Sequence, residues 1–227
     1  MFKSLAQFFR GDDWTQQVVE RFDKMLSLAE VNFSLCADSL VSSPDYDKIR
    51  DELYARDREI NHLERSIRRQ LISHLAASPS EHEIPTAFVV TNLVKDAERI
   101  GDYVKNLYEV HDFHGSEGFD RTVYDRHYDG IRTQLKALFG KVRIAFRESN
   151  TEAAHASIAE GRELMRRCEE EIRKIAASDS PLPEGIALAL TGRHFKRITA
   201  HLVNIATAVV MPADKIDYYD EPAGEDL

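Results

Sequence analysis

Residues 86–110 read TAFVVTNLVKDAERIGDYVKNLYEV. Their apolar members fall at Val90, Leu93, Ala97, Ile100, Val104 and Leu107. That three-then-four spacing marks one buried face of an α-helix. Beside the face stand Glu98 and Asp102, four residues apart and therefore one turn above each other. Carboxylates stacked in this way repel by a few tenths of a kcal/mol on an exposed helix. A cation shared between them removes that cost and makes the pair two oxygen ligands.

A weaker copy of the helix lies at 185–211, GIALALTGRHFKRITAHLVNIATAVVM. Setting Arg99-Ile100 on Arg197-Ile198 also sets Asn106 on Asn204. The apolar residues Ala97, Ile100, Val104 and Leu107 then fall on Phe195, Ile198, Leu202 and Ile205. Two such helices about a hundred residues apart point to an internal duplication.

Outward from these two helices the same period continues. Helix one starts at Asp12 or Asp13 and carries Val19, Phe22, Met25, Leu26, Ala29 and Phe33 on its buried face as far as Val41. Ser43 caps helix two, with Pro44 at its first position. Helix two runs to Leu75 with an apolar stripe of Ile49, Leu53, Ile60, Leu63, Ile67 and Leu71. Helix three ends near His111, and the glycines at 115 and 118 mark a boundary. Helix four spans Phe119 to Arg147, helix five is capped by Asn150-Thr151-Glu152, and helix six is the copy, stopped by Pro212. No segment alternates apolar and polar residues in the manner of a strand. The reading is an all-α chain of two tandem antiparallel three-helix bundles. Its parts are an N-terminal segment 1–11, a first bundle 12–114, a second bundle 119–211 with a degenerate motif, and an acidic tail 212–227.

Composition narrows the function. The 227 residues are 43% hydrophobic and 30% charged, as in a soluble helical protein. A net charge of −9 without a dominant basic patch argues against a nucleic-acid partner. Cys36 and Cys168 lie inside helical patterns and lack a CxxC partner, which fits buried thiols in a reducing cytoplasm. The longest uncharged late run, 198–211, is too short to span a membrane, and the N-terminus lacks the apolar core of a secretory signal. The expected location is the cytoplasm. Phe2, Leu5, Phe8 and Phe9 can form a short amphipathic turn that packs on the bundle or touches a membrane surface.

The densest carboxylate grouping outside the tail is in the first half. Asp57 and Glu64 share a face of helix two, with Asn61 between them; Asp96, Glu98 and Asp102 lie on helix three. If these helices pack side by side, Asp57, Asn61, Glu98 and Asp102 converge on one cation. Oxygen-only ligands suit Mg²⁺, Ca²⁺ or Mn²⁺, and carboxylates also hold iron. The alternative is a solvated face laced with i,i+4 pairs to Arg and Lys. His111 and His114 at a helix end suit either a transition metal or a dipole-favoured cation. Gly101 inside helix three either permits close helix approach or is merely tolerated. No P-loop, GxSxG or GxGxxG occurs, and no enzyme is expected. A carboxylate-bridged di-metal enzyme needs paired Glu-x-x-His motifs, whereas Glu152-Ala-Ala-His155 stands alone.

ERIGDY at 98–103, followed by Asn106, resembles the signature of the PhoU family of bacterial phosphate-signalling regulators. DREINHLERSI at 57–67 and KRITAHLVNI at 196–205 resemble that family's second-helix and sixth-helix motifs. The resemblance implies two similar three-helix bundles and metal clusters, often iron or zinc, on E/D-x-x-x-D motifs. Glu98 and Asp102 match such a motif. Asp57 matches the helix-two acid, while Asn61 stands where a second Asp is common. In the second half Lys196 and Ala200 replace Glu98 and Asp102, and Arg162 and Arg166 align with Asp57 and Asn61. A charged ammonium or guanidinium binds no metal, so the second cluster is lost. Lys196, Arg197, Arg162 and Arg166 would then form a basic face, either solvated or paired with carboxylates of the first half or of another protein.

The resemblance further implies a regulator of phosphate transport and phosphate-starvation signalling that binds a transporter subunit or a sensor kinase. It would reach the membrane only through that partner, and a homodimer stays open. An accessory subunit of a sodium-dependent phosphate symporter and a metal-free helical adaptor are the alternatives.

Overall fold

The computed structural model describes residues 13–40, 46–77, 83–114, 120–211 and 216. Six long helices carry the chain: α1 (Asp13–Ser39), α2 (Tyr46–Ala77), α3 (Ile84–Tyr108), α5 (Arg121–Arg147), α6 (Thr151–Ala176) and α7 (Leu182–Val210). A single turn, α4 (His111–His114), follows α3. The described residues contain no strand, so the all-α reading holds. The expected Ser43 cap, the aromatic N-terminal segment and nearly all of the acidic tail lie outside the described residues.

Local chemistry sets several helix ends. Asp120 Oδ1 accepts the backbone N–H groups of Thr122 and Val123 at 2.8 and 3.1 Å, capping α5. Asn150 Oδ1 accepts that of Ala153 at 3.0 Å and caps α6, as its sequence position predicts. Two bounds differ from the sequence reading. α3 ends at Tyr108, and the helix is interrupted at 109–110 before a separate turn that carries His111. α7 starts at Leu182 rather than Gly185, because Pro183 occupies its first turn, where a missing N–H costs nothing.

Contacts pair the helices antiparallel within each set. Asn32 of α1 donates to the Leu53 carbonyl of α2 at 3.1 Å, and Tyr54 of α2 donates to Glu109 just past α3 at 3.3 Å. In the second set Lys141 of α5 meets Glu160 of α6 at 2.5 Å, and Lys196 of α7 meets Glu169 of α6. The two sets share one continuous core. Phe33 of α1 stacks on Phe139 of α5 and meets the edge of Phe195 of α7, each with ring centroids 5.5 Å apart. Burying large aromatic rings across the junction joins the two bundles by the same hydrophobic term that holds each one.

Ion pairs line the α1–α5 seam. Arg143 reaches Asp23 at 3.0 Å and Glu30 at 2.9 Å, and Arg132 and Lys136 meet Asp38 at 3.1 and 2.9 Å. The second seam pairs α3 with α7, the two duplicated helices, running antiparallel. Tyr103 and His201 hold equivalent positions under the alignment of Arg99 with Arg197. Their rings stack 5.6 Å apart. Equivalent residues meeting each other is what a local two-fold relation between duplicated halves produces.

Candidate functional site

Asp57, Asn61, Glu98 and Asp102 are brought to one place between α2 and α3. Asn61 donates its amide to Asp57 Oδ2 at 3.4 Å, so its nitrogen, not its oxygen, faces the acid. The group at the centre is one the sequence reading passed over. Lys105 Nζ lies 3.0 Å from Asp57 Oδ2 and 2.9 Å from Asp102 Oδ1. Arg99 closes the outer side, 3.1 Å from Asp102 Oδ2 and 3.7 Å from Glu98 Oε2. Glu64, expected to share the acid face, is paired with Arg68 at 2.8 Å.

Three carboxylates thus stand against two basic side chains. Burial, then the Asp102 charge, push Glu98 up to about 7, against the opposing pull of Arg99. Burial works to lower Lys105, but hydrogen bonds to Asp102 and Asp57 outweigh it, and its basicity rises. Asp57 is a buried carboxylate and needs a partner, which Lys105 supplies.

These residues do not fit the resident metal that the family resemblance implies. The cation the acids share is an ammonium, and a metal would have to displace it. Among the described residues, no three His, Cys, Asp or Glu side chains are placed to hold a metal ion. A signal for Lys105 existed in the sequence. It stands three residues after Asp102 and seven after Glu98, on the same helix face.

Gly101 is buried beside this cluster. A Cβ there would lie 3.4 Å from Asp57 Oδ1 and 3.5 Å from Ile60 Cδ1, an ordinary contact, so the helices do not require glycine at this point. His111 is buried and shares a hydrogen bond of 3.2 Å with Ser39 Oγ, which gives it a structural partner. Both cysteines are buried, and burial raises both thiols, Cys168 to about 12.

For the basic residues of the second half, the solvated alternative fits Arg166, which is exposed. Arg166 pairs with Glu163 at 2.5 Å and with Glu170 of its own helix, and Lys196 pairs with Glu169. Those partners belong to the second bundle, not the first. The bridges to first-bundle acids come instead from Arg132, Lys136 and Arg143 of α5. Arg197 turns to the first bundle. Its Nε donates to Tyr103 Oη at 2.9 Å, and its guanidinium lies 5.1 Å from the centre of that ring.

A second polar site sits on the α3–α7 seam. Asp96 Oδ1 is 2.7 Å from His201 Nδ1 and accepts the Asn204 amide at 3.4 Å. His194 lies near Tyr103, ring centroids 6.2 Å apart. Under the duplication His194 holds the place of Asp96, and Tyr103 that of His201, so each pair is the image of the other. Burial pushes His194 down to about 4, with Arg193 adding to the effect.

These features define a class: an all-α protein of two duplicated antiparallel three-helix bundles, joined through their equivalent helices, with the acid motif kept in the first. Residues 22–110 match the family model of the PhoU domain. That match lies within the first bundle. The chain's whole fold is similar to that of solved PhoU proteins. The crystal structure of PhoU from Pseudomonas aeruginosa aligns with a TM-score of 0.74 and 21% identity over 87% of this chain and 95% of that one. The phosphate transport system regulatory protein PhoU from Streptococcus pneumoniae aligns with a TM-score of 0.69 and 14% identity, again over 87% and 95%. No curated protein matches the chain in sequence.

Proposed function

We propose that this chain regulates phosphate transport and phosphate-starvation signalling from the cytoplasm, by docking on a phosphate-transporter subunit or a membrane sensor kinase. The observation that carries this reading is the PhoU domain at 22–110, set in a complete two-bundle fold of the same kind. No helix among the described residues is long and apolar enough to cross a membrane, so contact with a membrane would come through the partner. A bundle with a continuous core suits docking as a unit. Its effect would come from binding one state of the partner better than the other, which shifts that partner's equilibrium.

The test is capture of the tagged protein from phosphate-replete and phosphate-starved cells, with phosphate uptake measured after deletion. The expected result is a transporter subunit or sensor kinase recovered in a phosphate-dependent manner, with uptake altered by the deletion. Recovery of a sodium-coupled phosphate symporter would assign the accessory-subunit version instead. Unchanged uptake with neither partner recovered would overturn the proposal.

A further inference from the structure

We propose that the cleft between α3 and α7 binds hydrogen phosphate, a tetrahedral oxyanion that still carries a proton. The cleft has a volume of about 390 Å³ and a polar lining. From α3 come Asn92, Lys95, Asp96 and Arg99, one helical stripe; from α7 come Arg197 and His201. The lining holds one carboxylate against three permanent cations.

The charges are not cancelled within the cleft. Asp96 is already engaged by His201 at 2.7 Å and Asn204 at 3.4 Å. Arg99 is committed to Asp102 and Glu98. Lys95 is exposed and forms no ion pair among the described residues. Arg197 uses Nε on Tyr103, which anchors the guanidinium and leaves its two terminal amino groups for a ligand. A guanidinium held in this way binds an oxyanion through parallel N–H groups without first losing its own freedom.

His201 supplies selectivity. The ionised Asp96 only accepts, so the proton between them sits on Nδ1. In the neutral ring Nε2 is then an acceptor; it has no hydrogen-bond partner and is closed to solvent, so a ligand in the cleft meets it only where binding uncovers it. A buried acceptor beside cations favours an anion that brings its own O–H. At pH 8 inorganic phosphate carries one proton. Sulfate carries none, nor does a phosphomonoester, whose last proton leaves near a pKa of about 6. A site with an unpaired acceptor rejects a ligand that cannot fill it.

This inference does not rest on the docking role: loss of phosphate binding with partner capture retained would sink this site and leave that role standing. The experiment is calorimetric titration of the full chain at pH 8 and constant ionic strength with inorganic phosphate, sulfate and glycerol phosphate. Phosphate is expected to bind saturably, and the other two roughly tenfold or more weaker. Arg197→Gln and, separately, Lys95→Gln should each weaken phosphate about tenfold. Lys141→Gln, on an exposed ion pair of α5, should leave it unchanged. Lys95 is exposed, so its variant keeps the fold and the test stays informative. No phosphate binding at millimolar concentration, equal binding of sulfate, or binding unchanged in both cleft variants would overturn the proposal.

Discussion

In the first bundle α2 and α3 meet across Asp57 and Lys105; in the second α6 and α7 meet across Gly161 and Val203. The alignment that sets Arg99 on Arg197 also sets Lys105 on Val203. The same position therefore carries an ammonium facing acids in one half and a methyl group facing glycine in the other. A Cβ on Gly161 would lie 2.3 Å from Val203 Cγ2, a clash that real side chains do not tolerate. Where burial, and then the Asp102 charge, raise the pKa of Glu98, its counterpart Lys196 pairs with Glu169. One copy retained a polar centre and the other became a close-packed contact. The PhoU family model matches the copy that kept its acids.

The largest expected effect comes from removing the shared cation. Lys105→Ala leaves Asp57 buried without its charged partner, and breaking such a pair costs about 3 kcal/mol. Chemical denaturation at neutral pH reads the loss, and acid should restore part of it by protonating the cluster. Glycine substitution comes next and separates the halves. Gly161→Ala should destabilise by about 2 kcal/mol through overpacking against Val203. Gly101→Ala should be neutral or stabilise by up to about 1 kcal/mol through helix propensity.

The smallest effects are opposite in sign. Glu98 is raised to about 7, so its stability contribution is full below the ordinary carboxylate range and is lost as pH rises through 7. His194 is lowered to about 4, so its contribution is full above the ordinary imidazole range and is lost as pH falls toward 4. Thermal melts between pH 4 and 8 should show Glu98→Gln flattening the alkaline limb and His194→Gln the acid limb. Exchange of these two signatures would contradict the assignment of the two limbs to Glu98 and His194.

Much of this was legible in the sequence. The 3.6-residue period gave six helices, because each buries one apolar stripe and that requirement writes itself into the chain. Asn150 was readable as a cap because its side chain serves a neighbour three residues on. The acids of α2 and α3 were readable as neighbours because i,i+4 spacing fixes a face. Lys105 escaped because a lysine on a charged helix reads as solvated; only the packed partner helix shows that its ammonium reaches Asp57, 48 residues away in sequence. The Asp96–His201 contact spans 105 residues and leaves no local trace. The side chains that bridge the bundles by ion pairs sit on α5, where nothing in the local pattern names their partners.

In this structure the ammonium of Lys105 is the cation between Asp57 and Asp102 of the first-bundle acid site. Equilibrium dialysis against Fe²⁺, Zn²⁺ and Mn²⁺, followed by elemental analysis, tests it on the native chain and Lys105→Ala in parallel. Little metal is expected on the native chain and about one ion per chain on the variant, where Asp57 and Asp102 lose their shared lysine. Stoichiometric metal on the native chain, unchanged by the substitution, would contradict it.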